Sequence, residues 1–363
     1  MYQGNFSSDM TWWQQTFGPS RLVGHTASLM NENKVVFILI DKNTAYKHEM
    51  REAVTKYYND NFSPFACDTF DCAEILSSDD DFSAAVVKSF TDGEEPLLYK
   101  GETVVDFAVR EGIFSDKILW FKGIESAEIL AKAAGFAAQY NKKCKKDNGV
   151  VVIETPREFA DGGYGNFRKV DTAGIITETD TEVFALNIYR SKNEREGRNV
   201  ADMLSKYVSV LATCVCGTNA ELAERLIISV DLTGDGVTEE IGRTMGGRLD
   251  TKELNKRIWE AQLKTFFPLI EERRLFFVSK YESFFRGATA ILGLKDKVTG
   301  EAITDPYDLE TGQLLFCLNI VSSTVTTADF NEIRFLRDVR NNLAHLEILD
   351  KAKTERLIAI SEE

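Results

Sequence analysis

The chain has 363 residues, of which 44% are hydrophobic and 28% charged, and its formal net charge is −14. This length is sufficient for two domains with separate cores, and the composition is that of a globular protein. The acidic balance excludes a protein that binds nucleic acid tightly through a general basic surface, because neutralisation of phosphates by Lys and Arg supplies much of that affinity.

The apolar segments and the cysteines indicate the cellular environment. No apolar run approaches the roughly 20 residues that span a bilayer, and the N-terminus lacks a basic segment followed by an apolar one. The six cysteines are scattered along the chain, as is typical of reduced thiols, and the pair Cys214 and Cys216 has no second cysteine or histidine pair nearby. We therefore expect a cytoplasmic protein without membrane contact, metal or cofactor.

Strand and helix patterns alternate in the first two thirds of the chain. Short apolar runs predict strands buried on both faces, at Lys34–Asp41, Ile118–Ile124, Val150–Glu154, Val183–Tyr189 and Leu226–Asp231. Helical patterns lie between them, at Lys47–Tyr58, Ser126–Lys146 and Arg195–Ala212. This alternation predicts an α/β domain over residues 1–240, with a mostly parallel sheet and flanking helices.

From about Gly247 onward the strand signals stop. Helical patterns follow at Asp250–Leu263, Leu269–Ile291, Leu309–Val321, Asp329–Leu346 and Lys351–Ile360. Asp250 suits an N-cap, and Pro268 suits the first turn of a new helix. The sequence therefore predicts an all-α helical bundle over residues 248–363, joined to the first domain through the glycine-rich segment Leu232–Arg248.

The helical segment near residue 340 has one apolar face. Its apolar residues follow steps of three and four positions, which predicts a stripe that packs into the bundle core. The stripe consists of Leu336, Val339, Leu343 and Leu346.

Polar residues follow the same segment on a neighbouring face. Arg337, Asn341 and His345 are four residues apart, and Asp338 precedes Asn341 by three. Arg340 and His345 are five apart, which is about 140° around a helix, so a single helix does not present them side by side. A second copy related by a two-fold axis is able to bring these groups into one cleft.

The segment Arg340-Asn341-Asn342-Leu343-Ala344-His345 resembles the motif of the HEPN family, in which an arginine and a polar residue precede a histidine at this spacing. The resemblance covers roughly Arg248–Glu363. It implies a helical bundle that commonly forms a dimer and, in active members, cuts RNA without a metal ion. Many members lack cleavage activity and act as interaction modules.

The residue types suit RNA cleavage by the 2′-hydroxyl group. His345 can exchange protons near neutral pH, and Arg340 can hold a phosphate with its planar fork of donors. Asn341 is the third candidate, as an orienter of His345 or a phosphate contact, and Asp338 is a further candidate orienter. The expected products carry a 2′,3′-cyclic phosphate and a 5′-hydroxyl.

The first domain loosely resembles a degenerate P-loop ATPase core of the AAA type. Gly18–Asp41 is a predicted helix followed by a strand, as such cores often begin. The next loop, Lys42–His48, contains no glycine, although a phosphate-binding loop needs glycines so that its backbone amides can approach the phosphate. The predicted strand Ile118–Ile124 has Lys-Gly near its end, where such a core would have a metal-binding acid. We therefore expect neither nucleotide hydrolysis nor a bound cofactor.

Two further segments have partial ligand motifs. The cluster Gly162-Gly163-Tyr164-Gly165 lacks the spacing of a dinucleotide-binding loop and favours a flexible loop. Asp231–Gly236 resembles the start of a calcium loop, but its twelfth position is Gly242 instead of a carboxylate. A tight turn is the favoured interpretation of Asp231–Gly236.

The sequence supports two functional hypotheses. The first is a HEPN-type endoribonuclease of a prokaryotic defence or toxin system, acting on RNA as a homodimer and regulated by the first domain, which also contacts a protein partner. The second is a non-catalytic scaffold or adaptor that uses the bundle for dimerisation. The intact motif favours the enzyme, while the acidic charge and the glycine-free loop favour the scaffold.

Overall fold

The computed structural model describes residues 8–75, 81–91, 93–144, 149–162, 167–296, 299–321 and 325–363. The chain forms two compact units. The first comprises Met1–Phe184 with Thr218–Glu221, and the second comprises Ala185–Gly217 with Leu222–Glu363. The first contains a parallel sheet with flanking helices and the second is helical, which confirms the predicted fold class.

The described residues of the first unit contain one sheet of five strands, with all neighbouring pairs parallel. The strands are β1 (Val35–Ile40), β2 (Ala66–Asp71), β3 (Lys117–Lys122), β4 (Val150–Pro156) and β5 (Arg168–Asp171). Their order across the sheet is β2-β3-β4-β1-β5. Strand β1 is therefore an interior strand, and Phe37 lies between Ile153 of β4 and Lys169 of β5 in the register.

Helices cover the sheet of the first unit. They are α1 (Ser8–Gln15), α2 (Phe17–Glu32), α3 (Lys47–Asn61), α4 (Phe82–Ser89), α5 (Val104–Arg110) and α6 (Ala127–Lys143), with 3₁₀ helices at Cys72–Ile75 and Arg157–Gly162. Helix α6 begins where the Ser126 side chain accepts a hydrogen bond from the Ile129 amide. Its buried face meets β3, where the ring centroids of Phe136 and Phe121 lie 5.5 Å apart.

The boundary between the units falls within α7 (Glu178–Arg195). The later helices are α8 (Asp202–Cys216), α9 (Ala220–Ser229), α10 (Val237–Thr244), α11 (Thr251–Lys280), α12 (Glu282–Leu292), α13 (Thr311–Ile320), α14 (Thr327–Ala344) and α15 (Lys351–Ile360), with a 3₁₀ helix at Pro306–Asp308. In the second unit, α11 packs against α8 and α14. Tyr207 of α8 and Phe266 of α11 have ring centroids 5.1 Å apart.

Two predicted strands are wrong. Val183–Tyr189 lies in α7 and most of Leu226–Asp231 lies in α9. In α9, Leu226 and Ile227 are buried whereas Ile228 is 53% exposed, which is the one-sided burial of a helix. A short, continuous apolar run fits both the helical period of about 3.6 residues and the strand period of two. Only its packing against other elements therefore distinguishes a helix from a strand.

Two actual strands have no apolar signal and were not predicted. Strands β2 and β5 lie at the edges of the sheet, and most of their residues are not buried. An edge strand tolerates polar residues, because only one of its sides is paired and its faces are less covered.

The predicted helix boundaries also need correction. Pro268 lies inside α11 instead of starting a new helix. A proline removes one backbone hydrogen bond, but Phe266, Leu269 and Ile270 around it are buried and hold the helix together. The predicted helix Arg195–Ala212 is interrupted between α7 and α8, where Gly197 has a φ of +68°.

The predicted boundary between the domains lies between residues 240 and 248, and the two observed units divide the chain at a different place. The second unit begins at Ala185, within α7. The two segments predicted as strands are helices, and α8 packs along α11 in the second unit.

None of the described helices combines the length and apolarity needed to cross a membrane. The glycine cluster at 163–165 lies outside the described residues.

Candidate functional site

Helix α14 carries the Arg-Asn-His motif. The helix begins where the Thr326 side chain accepts a hydrogen bond from the Asp329 amide. Leu336, Val339 and Leu343 are all fully buried, as the apolar stripe predicts. Leu346 is 68% exposed, so its predicted place in the stripe is wrong, because the helix ends at Ala344 and the chain changes direction.

His345 is the first residue beyond the helix. Its backbone amide donates to the carbonyl oxygens of Asn341, at 3.0 Å, and Asn342, at 3.1 Å. Leu346 follows with a φ of +62°, in the left-handed region where glycine is the usual residue. The Glu347 amide then donates to the Asn342 carbonyl at 2.9 Å, and the Asn342 side chain donates to the Glu347 carboxylate. His345 therefore lies in a closed turn.

Helix α11 holds this turn on both sides. Before His345, the indole Nε1 of Trp259 donates to the Leu343 carbonyl at 2.8 Å. After it, the buried Gln262 side chain donates to the Leu349 carbonyl at 3.0 Å and accepts from the Leu349 amide at 2.7 Å. These anchors fix the backbone around His345.

Trp259 and Gln262 were not among the predicted site residues. A signal was present in the sequence, because a glutamine three residues after a tryptophan falls on the same side of a predicted helix. A polar side chain on a buried helical face has to find a partner, but the sequence did not reveal that this partner is the backbone of residue 349.

The three candidate side chains all reach the surface. Asn341 and His345 are exposed, and the Arg340 side chain is 32% exposed, with its Nη2 atom 3.8 Å from Glu310 Oε1. Among the described residues no hydrogen bond joins the side chains of Arg340, Asn341 and His345. Within one chain the motif is therefore a set of neighbouring groups and not an assembled catalytic centre.

Asp338 does not orient His345 in this structure. Its carboxylate oxygen accepts from Nε and Nη2 of Arg337, at 2.9 and 2.6 Å. Both side chains are partly exposed, so this pair is a surface interaction of small energy.

A cavity of about 800 Å³ lies beside the turn that carries His345. Its walls come from the first turns of α11 and from Leu346, and they consist of Asp250, Thr251, Lys252, Glu253, Asn255, Lys256, Trp259 and Leu346. The volume is within the range of small-molecule sites, roughly 300–1,000 Å³. The candidate site therefore has a sizeable cavity in the same unit.

The loop after β1 in the first unit forms a different, smaller cavity. The Asp41 amide donates to the hydroxyl oxygens of Thr44 and Thr172, at 3.0 and 3.2 Å, and the Asp41 carboxylate accepts from the Asn43 amide. These residues line a cavity of about 170 Å³ whose described lining contains a carboxylate but no lysine or arginine. Such a lining disfavours a phosphate group.

The two partial metal motifs adopt other structures. Cys214 and Cys216 are buried in α8, and burial raises the pKa of the Cys216 thiol to about 12. Asp231 accepts hydrogen bonds from the amide and hydroxyl of Thr233 in a turn, and Gly242 lies within α10. Among the described residues there is no group of three metal-ligating side chains.

Comparison with protein-family models finds no matching family. Comparison with curated proteins likewise finds no significant match.

Proposed function

We propose that the second unit is a metal-independent endoribonuclease of the HEPN type, active as a homodimer in a prokaryotic defence or toxin system in the cytoplasm. The observation that carries the proposal is the position of the motif. Arg340, Asn341 and His345 lie at the exposed end of a long helix, and the turn after it is anchored to α11 by one partly buried and two buried hydrogen bonds. Catalytic side chains need this combination of access and a fixed backbone.

The proposed chemistry uses one phosphodiester and the RNA's own 2′-hydroxyl. His345 of one copy removes the 2′-hydroxyl proton, the 2′-oxygen bonds to phosphorus, and the bond from phosphorus to the 5′-oxygen breaks. His345 of the second copy protonates the leaving 5′-oxygen. Arg340 donates hydrogen bonds to the phosphoryl oxygens as negative charge increases there, and Asn341 contacts the phosphate or orients the imidazole. The products carry a 2′,3′-cyclic phosphate and a 5′-hydroxyl.

Cleavage of mixed RNA in the presence of EDTA tests the enzyme. We expect wild-type protein to cut RNA and the His345→Ala and Arg340→Ala variants to be slower by about 100-fold or more. For His345→Ala the reason is that proton transfer by a positioned group contributes roughly 10²–10⁴-fold. For Arg340→Ala it is that loss of one donor to the developing negative charge costs roughly 10²–10³-fold. Arg334→Ala is the matched control, because Arg334 is an exposed arginine of the same helix outside the motif. Equal cleavage by wild type and His345→Ala, or none by wild type at high concentration, contradicts the proposal.

A non-catalytic scaffold is the second candidate. The net charge of −14 and the approach of the Glu310 carboxylate to Arg340 favour it, because both disfavour a bound polyanion. A scaffold forms the homodimer without cleavage, so light scattering would give a dimer mass while the RNA remains intact.

The first unit would regulate the second and contact a protein partner. Its parallel sheet, in which β1 lies between β4 and β5, supports a scaffold like that of P-loop ATPases. The loop after β1 has no glycine, and its cavity has an acidic lining, so we propose that this scaffold acts without nucleotide hydrolysis.

A further inference from the structure

Trp259 differs from the other tryptophans of the chain. The sequence contains four, and Trp12, Trp13 and Trp120 are completely buried. Trp259 is only partly buried and lines the 800 Å³ cavity, and its Nε1 hydrogen bond to the Leu343 carbonyl fixes the indole beside the turn that carries His345. The cavity therefore contains an accessible aromatic surface whose orientation is set in advance.

Leu346 forms another part of the cavity wall. It immediately follows His345, it is 68% exposed, and it occupies a left-handed backbone position where glycine is the usual residue. A leucine at such a position places an apolar side chain at the cavity instead of leaving the turn bare. Trp259 and Leu346 together suit a flat, apolar ligand.

The charged groups of the lining differ in how they are engaged. The carboxylate of Asp250 caps α11 by accepting from the Glu253 amide at 2.8 Å, and the Glu253 carboxylate pairs with Arg257 at 2.8 Å. Lys252 is exposed and has no ion pair among the described residues, while Lys256 approaches a carboxylate only at 3.8 Å. The lysine ammonium groups are thus the lining charges most available to a ligand, and they suit an anionic one.

We propose that this cavity binds one unpaired base of an RNA strand. The base stacks on Trp259 and contacts Leu346, while Lys252 and Lys256 contact the flanking phosphates. Bases of a duplex are stacked and paired, so only a single-stranded segment can place a base there. The inference rests on the proposed ribonuclease and names its substrate as single-stranded RNA, held next to the phosphate that the 2′-oxygen attacks after His345 removes its proton.

Binding is measured separately from cleavage in the His345→Ala background. The probe is a short, unstructured, fluorescein-labelled oligoribonucleotide, followed by fluorescence anisotropy at one fixed salt concentration. We expect Trp259→Leu to weaken binding about tenfold, since one base–aromatic stack contributes on that order. Trp259→Phe keeps a stacking ring and should remain within about threefold of the parent. A duplex of equal length should bind roughly tenfold more weakly than the single strand.

Matched variants separate stacking from charge. Lys252→Gln should weaken binding, whereas Arg286→Gln, which removes an exposed cation of α12, should not. RNA should also quench the Trp259 fluorescence, seen as the difference between parent and Trp259→Phe spectra. If Trp259→Leu does not fold, Lys252→Gln and this quenching decide the outcome.

Three results would overturn the base-binding cavity: no binding of the oligoribonucleotide, unchanged binding by Trp259→Leu together with no quenching, or equal affinity for single strand and duplex. The two proposals fail separately. RNA cleavage by the wild type with normal binding and cleavage by Trp259→Leu removes the cavity and leaves the ribonuclease. Binding that depends on Trp259, without cleavage by the wild type, removes the ribonuclease and leaves the cavity.

Discussion

Arg51 of the first unit and Arg340 of the second each lie near a carboxylate, but the two pairs differ in exposure to solvent. In the first unit, Arg51 Nε and Trp120 Nε1 both donate to Glu154 Oε2 at 2.9 Å, and the Glu154 side chain is only 4% exposed. In the second unit, Arg340 lies at the surface with its nearest carboxylate 3.8 Å away.

The comparison shows that a buried, paired charge stabilises the fold, whereas an exposed charge remains accessible to a ligand. The buried Glu154 carboxylate is paired with the Arg51 guanidinium and also accepts from Trp120, so its charge is engaged inside the fold. At α14, hydrogen bonds from Trp259 and Gln262 hold the backbone, while the side chains of the motif stay exposed. The first arrangement stabilises a fold, and the second is suited to bind a substrate.

The largest expected difference between the two pairs is in stability. Arg51→Met leaves the buried Glu154 carboxylate without its cation and should lower the free energy of unfolding by about 3 kcal/mol. Arg340→Met should change it by less than about 1 kcal/mol, because an exposed ion pair contributes little. Urea unfolding followed by tryptophan fluorescence measures both. Equal losses for the two variants would mean that exposure does not distinguish the two arginines.

A smaller effect is expected for the anchor of the turn. Gln262→Leu removes both hydrogen bonds to Leu349 and leaves a buried amide and a buried carbonyl unpaired, which should cost about 2 kcal/mol. The exposed Gln139→Leu change in α6 is the control and should cost less than about 0.5 kcal/mol. If Gln262→Leu unfolds at the same urea concentration as the control, the proposed anchor does not stabilise the turn.

The smallest effect is a pH dependence at the start of α15. The hydrogen bond from the Lys353 amide, reinforced by the Lys353 ammonium group, holds the pKa of Asp350 below its ordinary value of 3.8. A depressed pKa stabilises the folded state above the ordinary value, and this contribution is lost as the pH falls through the folded-state pKa. Asp350→Asn keeps the cap but does not titrate.

Wild type should therefore be slightly more stable than Asp350→Asn at pH 7, and the difference should shrink below about pH 4. Thermal unfolding at both pH values measures it. A difference that stays constant or grows in acid contradicts the assigned role of the Asp350 charge.

Local patterns predicted most of the elements near the candidate site. The buried face of α14 and the full extent of α15 follow from apolar spacing and capping residues, which act within a few residues of the chain. By contrast, the polar edge strands β2 and β5 have no local signal. They are strands because their backbones pair with the neighbouring strands β3 and β1, and this pairing depends on the tertiary structure.

The place of the motif on a terminal helix turn was predictable, but its surroundings were not. Arg340 and His345 belong to one segment, so their spacing is visible directly in the local sequence. Trp259 and Gln262 lie 84 and 87 positions before the residues that they contact, Leu343 and Leu349, and reach the turn only through the packing of α11 against α14. Long-range hydrogen bonds of this kind leave no periodic trace in a sequence.

By itself, the sequence determined the class of the fold, the face of α14 that is buried and the candidate residues of the motif. Each of these depends on the alternation of apolar and polar residues over a few turns, which the chain carries locally. The tertiary structure alone decided that Val183–Tyr189 and most of Leu226–Asp231 are helical, that α11 continues through Pro268, and that Leu346 faces a cavity. Those outcomes depend on which distant surfaces cover a segment, because burial against partners outweighs local preference.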